Sequence, residues 1–314
     1  MKAIKYIIYI ATLSMALTAC TEEKPFEPGS GSPLTVSATV PGEVWAVATR
    51  AGNEVYKWTL HYTDYKGTKA TYTPSGVSVV GSAVSFTTGT DLVWTQIDHT
   101  KPIHLTCLTD NATAGDLADD YILHASVASA TPDQTLAMGT MIPTVAKFTV
   151  TLAFENNLNA TASNFSITYN AKTAVDDYDP WTACDIWPAK DDASDRLLPL
   201  SGTAATNLYT VSGTVLLPQQ TIGNTLTVVY DNGTADNTAD DYPWTLDLNT
   251  VAVKNTDPVQ YANDLKAGQH LTLNLKASVI SLGKPSMEYE AFIEADQDDY
   301  TGDLDGDVQS QTNN

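Results

Sequence analysis

Basic side chains are scarce in this sequence: 16 Lys and Arg stand against 37 Asp and Glu over 314 residues, a formal charge of −21 at pH 7. A polyanion of this size is repelled by phosphate backbones and anionic headgroups, which excludes nucleic acid as a partner. Cysteine is as rare. Cys20, Cys107 and Cys184 cannot build a disulfide framework, and no C-x-x-C spacing points to a metal site. H-E-x-x-H, G-x-S-x-G, a Walker loop and G-x-G-x-x-G are all missing, so the local signatures of zinc hydrolysis, serine nucleophiles and nucleotide binding are absent. The expectation is a protein that is not an enzyme and carries no cofactor or metal. What is present suffices for packed cores: 43% of residues are hydrophobic, with 15 Tyr and 6 Trp, which excludes global disorder. The length suits two domains of about 100–200 residues.

The amino terminus carries a short basic head, Lys2 and Lys5, then an apolar run from Ile7 to Leu17 and small residues up to Cys20. A run of about eleven residues is too short to span a bilayer, so residues 1–20 read as a secretory signal. Leu17-Thr18-Ala19-Cys20 resembles a bacterial lipobox, which implies cleavage before Cys20, lipidation of its thiol and an outer-membrane anchor. Thr21-Glu22-Glu23-Lys24 is similar to the acidic tract that marks some lipoproteins for the outer face of that membrane. Residues 21–33, rich in Gly, Ser and Pro, form the tether. Without the signal, 14 basic and 37 acidic side chains leave −23, and nine of the acids lie in the last thirty residues.

From Leu34 onward the dominant signal is period-two alternation, as in Leu34, Val36, Ala38, Val40; Tyr56, Trp58, Leu60, Tyr62; Phe148, Val150, Leu152, Phe154; and Leu271, Leu273, Leu275. Thr, Ser, Lys and Asn fill most intervening positions, so each strand buries one face, as in antiparallel sandwiches. The predicted fold is all-β, with two tandem β-sandwiches over 34–142 and 143–285 and an extension over 286–314. One short helix is expected where Asp257 can cap, Pro258 can occupy the first position, Val259, Ala262 and Leu265 share a face, and Gly268 can close. An internal repeat supports two similar units. Leu105 to Ala114 followed by Asp119-Asp120-Tyr121 recurs as Leu226 to Ala235 followed by Asp240-Asp241-Tyr242, at an offset of 121 without a gap. The link is expected between Met141 and Thr144. The same register sets Cys107 opposite Val228, which favours a small buried thiol over a disulfide to Cys184.

Candidate sites are few. The five histidines, His61, His99, His104, His124 and His270, stand singly and are expected on sheet surfaces or in loops. The Asp pairs beginning at Asp119, Asp176, Asp191, Asp240 and Asp298 could serve glycoside cleavage, but in Thr/Gly/Asn-rich loops solvated turn caps are the better expectation. The acidic tail is superficially like a calcium loop; setting Gly306 at loop position six puts Thr301 and Thr312 where Asp and Glu should coordinate. Trp45, Trp58 and Trp94 follow strand patterns and are expected in cores. Trp181 and Trp187, in a loop-like stretch, are the candidate glycan contacts, through stacking of flat aromatic faces on sugar rings.

The lipobox, the tether, the first alternating segment ending at Arg50 before Ala51-Gly52-Asn53, the two sandwiches and the carboxyl-terminal extension together resemble the fimbrillin family of type V pilins. Leu136 to Leu152 is similar to that family's link between sandwiches, and Leu265 to Leu275 to the approach to its last strands. The resemblance implies transthyretin-like sandwiches and a fimbrial subunit or precursor, exported to the cell surface as a lipoprotein. It implies cleavage by an arginine-specific protease and assembly with other pilin subunits by strand exchange. Only Arg50 and Arg196 are arginines, which makes Arg50-Ala51 the expected processing site. Met287, Tyr289, Ala291 and Ile293, alternating after Gly283-Lys284-Pro285, form the candidate donor strand; the alternative is that 286–294 closes its own second sandwich. The competing function is a monomeric, carbohydrate-binding or adhesive surface lipoprotein with a host or bacterial receptor.

Overall fold

The computed structural model describes residues 31–41, 55–110, 121–155, 162–175, 178–183, 186–205, 208–231, 241–278, 286–293 and 309–311. Chain order in the first half gives β1 (Thr35–Thr39), β2 (Val55–Thr63), β3 (Lys69–Tyr72), β4 (Ser78–Val80), β5 (Ala83–Thr87), β6 (Ile103–Asp110), β7 (Tyr121–Val127), β8 (Leu136–Thr140) and β9 (Ile142–Pro143). They form one sheet ordered β4-β5-β1-β8 and another ordered β3-β2-β6-β7-β9. The second half gives β10 (Val145–Glu155), β11 (Phe165–Ala171), helix α1 (Pro180–Ala183), β12 (Ser194–Leu197), β13 (Ser201–Ala205), β14 (Leu208–Pro218), β15 (Gln220–Thr221), β16 (Thr225–Tyr230) and β17 (Tyr242–Asp247). It ends with β18 (Asp264–Leu265), β19 (His270–Ser278), β20 (Ser286–Ile293) and β21 (Gln309–Gln311). Their sheets run β13-β14-β10-β19-β20-β21 and β12-β11-β16-β17, with β15 and β18 as a separate pair.

The protein is therefore all-β, and alternation is what makes it so. In β1 and its flanks Leu34, Val36, Ala38 and Val40 are buried while Thr35 and Thr39 face solvent; β11 and β16 repeat the pattern. One core draws on residues from Leu34 to Met141 and another on residues from Ala146 to Ala291. Both halves share a strand order. β1 lies between antiparallel β5 and parallel β8, as β10 lies between antiparallel β14 and parallel β19. The two sequence copies fall on β6–β7 and β16–β17, so Cys107 and Val228 hold equivalent core positions at 0% and 1% exposure. Burial pushes the Cys107 thiol up. Trp58, on β2, and Trp94 are core residues as expected, although Trp94 opens a short 3-10 turn (Trp94–Gln96) rather than lying in a strand.

Three expectations are corrected. The helix after Asp257 does not form: Ala262 N–H donates to Val251 O, and Val253 N–H to Gln260 O, at 2.9 and 2.8 Å. Those bonds, which pair 251–253 with 260–262 in antiparallel fashion, hold the segment open and bury Ala262 and Leu265 while Val259 stays 61% exposed, so the three do not share a face. The Asp-Pro signature works elsewhere: Asp179 Oδ1 accepts the Trp181 N–H at 3.0 Å, and Pro180 opens α1. Second, the expected unit ending at 285 omits a strand, since β20 pairs with β19 from Leu271↔Ile293 to Ser278↔Ser286 and places Ala291 in the second core. Third, His104, His124 and His270 are buried rather than superficial.

Gly213 in β14 marks a tight crossing. A Cβ there would lie 2.6 Å from Pro199 O and from Leu198 Cγ. Because one obstacle is backbone, Gly213→Ala is expected to destabilise the second sandwich by about 1–3 kcal/mol, read as a lower urea midpoint at unchanged slope.

Candidate functional site

The first candidate is the slot that β1 fills. Val36 pairs with Phe86 on one side and Leu136 on the other, and Ala38 pairs with Val84. Both ends are tied: Leu34 N–H donates to Thr88 Oγ1 at 2.9 Å, Val40 N–H to Ser82 O at 2.8 Å, and Met141 N–H to Thr39 O at 2.7 Å. β1 is thus an interior strand of its sheet, yet it precedes everything else in the two sandwiches. Chain leaves it at Pro41 and re-enters at β2 in the opposite sheet; Arg50 and Ala51 fall between, outside the described residues. Cys20, Cys184, Trp45 and most of the acidic tail also lie outside them.

The second candidate is β20. Ala291 is 1% exposed, and Tyr289 and Ile293 are partly buried against the second core; Met287 pairs with Ala277 along the backbone. Lys254 N–H donates to Ala291 O at 2.8 Å, and Lys254 Nζ meets Glu290 Oε2 at 2.7 Å. The segment proposed as donor therefore sits at home in this chain, the alternative left open by its sequence.

A third assembly was not visible from spacing. On β2, β6 and β7 the core takes Trp58, Leu60, Leu105, Cys107, Leu123 and Ala125, so the opposite face carries His61, His104, Thr106 and His124. His61 lies directly across from His104, and Thr106 from His124. His104 Nδ1 and His124 Nε2 are 3.1 Å apart, and His61 Nε2 is 2.9 Å from Thr106 Oγ1. The residues around α1 cover this face. Trp181 meets the His104 ring edge-on at 4.8 Å, Tyr178 stands 6.5 Å from His124, and Lys69 Nζ lies 5.0 Å over the Trp181 ring. A small apolar cluster of Ile122, Val145, Ala174 and Trp187 completes the junction. Thr144, in the link, donates its N–H to Ile122 O and accepts the Trp187 N–H, both at 2.9 Å. Burial, then His104 and His124, lower the His61 pKa to about 4, with Asp179 opposing. Among the described residues, no group of three or more His, Cys, Asp or Glu could hold a metal ion.

The glycan expectation fails at Trp187, which is 2% exposed and donates its Nε1–H to Val175 O at 2.9 Å. Both faces of that ring are packed, so no sugar can stack on it. Trp181 keeps partial exposure but has Lys69 over its ring. Asp191 and Asp192 are exposed, as solvated turn residues would be.

The fold defines the class: an all-β protein of two tandem sandwiches. No protein family's sequence pattern and no curated protein matches the chain. Among solved structures it is similar to a candidate cell adhesion protein of Bacteroides uniformis, at 12% identity over 85% of this chain and 99% of that one, with a TM-score of 0.46. It is similar to the fimbrial anchor protein Mfa2 of Porphyromonas gingivalis, at 9% identity over 83% and 97%, TM-score 0.42. A fimbrial assembly protein of Parabacteroides distasonis matches at 11% over 84% and 100%, TM-score 0.39. At such values the likeness carries no argument about function.

Proposed function

We propose that this protein is a non-enzymatic, fimbrillin-like precursor subunit of a surface fibre, lipidated at Cys20, cut after Arg50 and assembled by strand exchange. The observation that supports this is the placement of β1. A cut at Arg50 would sever from the chain a single strand that is interior to its sheet and whose four apolar side chains are buried. Departure of such a strand leaves two unpaired backbone rows, on β5 and β8, above a line of empty apolar sites, which an extended segment of matching alternation can fill. The partners are other subunits of the same kind, an arginine-specific protease and, through the lipid, the outer membrane. The competing glycan-binding reading loses one of its two aromatic contacts to the interior at Trp187.

The test is the amino terminus of assembled protein. Treatment with an arginine-specific protease should yield fibres visible by electron microscopy whose first residue is Ala51, and Arg50→Ala should leave a lipidated monomer. Fibres of normal length from that variant, or fibres beginning at Cys20, overturn the proposal.

A further inference from the structure

We propose that the Thr88 hydroxyl is the main-chain receptor of the slot between β5 and β8: it holds the first N–H of the extended segment lying there, whether β1 of the same chain or a strand of a second copy. The proposal rests on the strand-exchange reading and adds to it the residue that grips the incoming strand. β1 and β5 run antiparallel with Thr35 opposite Thr87, so the next pair along is Leu34 and Thr88. Thr88 N–H donates to Leu34 O at 3.0 Å, as such a pair requires. The return bond takes another route. Leu34 N–H donates at 2.9 Å to the Thr88 side chain, at Oγ1, in place of the Thr88 carbonyl. That carbonyl accepts the Tyr72 hydroxyl at 3.2 Å, and the chain turns away at Gly89, whose φ is 61°.

Donors and acceptors around this hydroxyl balance. Thr88 is 2% exposed, so its oxygen has little water to turn to. Its proton goes to Leu92 O, the nearer of two carbonyls, with Leu34 O 3.5 Å away. A lone pair is then left for the strand. Tyr72 and Leu92 both lie outside β1, so the acceptor is aimed by residues that remain with the sandwich when β1 is exchanged. On the strand's side, Pro33 has no N–H, which makes Leu34 the first donor from that residue onward. The grip reads backbone alone, so it serves a neighbour's strand as well as β1 and excludes only a proline at that place. Side chains are read further along, at the buried sites of Val36, Ala38 and Val40. A buried N–H left without its acceptor weakens the bound segment by about tenfold.

A competition in the full chain, cut between Pro41 and Val55 at an inserted site for an unrelated protease, tests this. Two peptides spanning residues 31–41 are offered in equal excess: one natural, the other with an ester in place of the amide between Pro33 and Leu34, which removes that N–H and keeps every side chain. Mass spectrometry of the isolated complex gives the ratio bound. In the wild-type chain the amide should be favoured about tenfold, and in Thr88→Val by about threefold or less. Thr88→Ser, which keeps the hydroxyl, should restore the preference. The ester's weaker carbonyl acts alike on all three chains, so the difference between them isolates the hydroxyl. Thr88→Ala replaces the valine variant should that one fail to fold. Entry of both peptides without preference in the wild type, or an undiminished preference in Thr88→Val, overturns the clamp and leaves strand exchange standing. Entry of neither peptide overturns strand exchange, and the clamp with it.

Discussion

A chain beginning at Ala51 should lose the tertiary packing of its first sandwich and recover it when a peptide spanning residues 33–41 is added. Leu34, Val36, Ala38 and Val40 are 0%, 0%, 7% and 4% exposed, so removing β1 withdraws four side chains from one core. At about 1.5–3 kcal/mol per large aliphatic chain, and less for alanine, the loss is roughly 5–9 kcal/mol before the vacated ladder is counted. That rivals the whole stability of an ordinary domain, about 5–15 kcal/mol. The second sandwich has its own core and should stay folded. Trp94, 1% exposed and in the first core, supplies the signal: its emission should shift red in the shortened chain and return with peptide. A peptide carrying Val36→Asp should fail, because residue 36 sits between Phe86 and Leu136. Should the shortened chain keep Trp94 buried with an unchanged thermal transition, β1 is not the occupant of a functional slot and the assembly proposal falls with it.

The features that were legible in the sequence are those decided locally or by strict alternation. Leu34 to Val40 announces a half-buried strand because a period of two has one structural meaning, and the 121-residue repeat carries Cys107 and Val228 into matching core positions. The helix expected after Asp257 shows the limit of local signals. The same Asp-Pro pair caps α1 at 179–180, but at 257–258 the backbone finds partners in Val251 and Val253, and such pairing is not encoded in the window itself. The histidines are harder still. His61, His104 and His124 are far apart in sequence, and only the β2-β6-β7 register makes them neighbours. Their positions opposite core-facing residues were visible as the outer face, which a lone sheet would leave to solvent. What covers it, Trp181, Trp187 and Tyr178, comes from the other half of the chain. The same missing information made Trp187 look like a surface contact.

Deleting residues 286–314 should lower the melting temperature of the second sandwich by about 10 °C without unfolding it. β20 contributes a fully buried Ala291 and the partly buried Tyr289 and Ile293, together about 3–5 kcal/mol of burial. Each kcal/mol shifts the midpoint of a unit this large by roughly 2–4 °C. The remaining core, from Phe148 through Val228 to Leu275, lies on strands the deletion does not touch. A donor role for Met287, Tyr289, Ala291 and Ile293 then has a definite energetic form. The strand must leave β19, forfeit those contacts and the Lys254–Glu290 pair, and regain more in a neighbour's slot between β5 and β8, where four buried positions await instead of one buried and two partly buried ones. Under that exchange the truncated chain folds but cannot extend a fibre, and protease-treated protein shows faster amide exchange along β19 once a neighbour has taken β20. A truncated chain that still polymerises would assign the donor to another segment. One that unfolds outright would mean β20 is indispensable to its own core and cannot be lent.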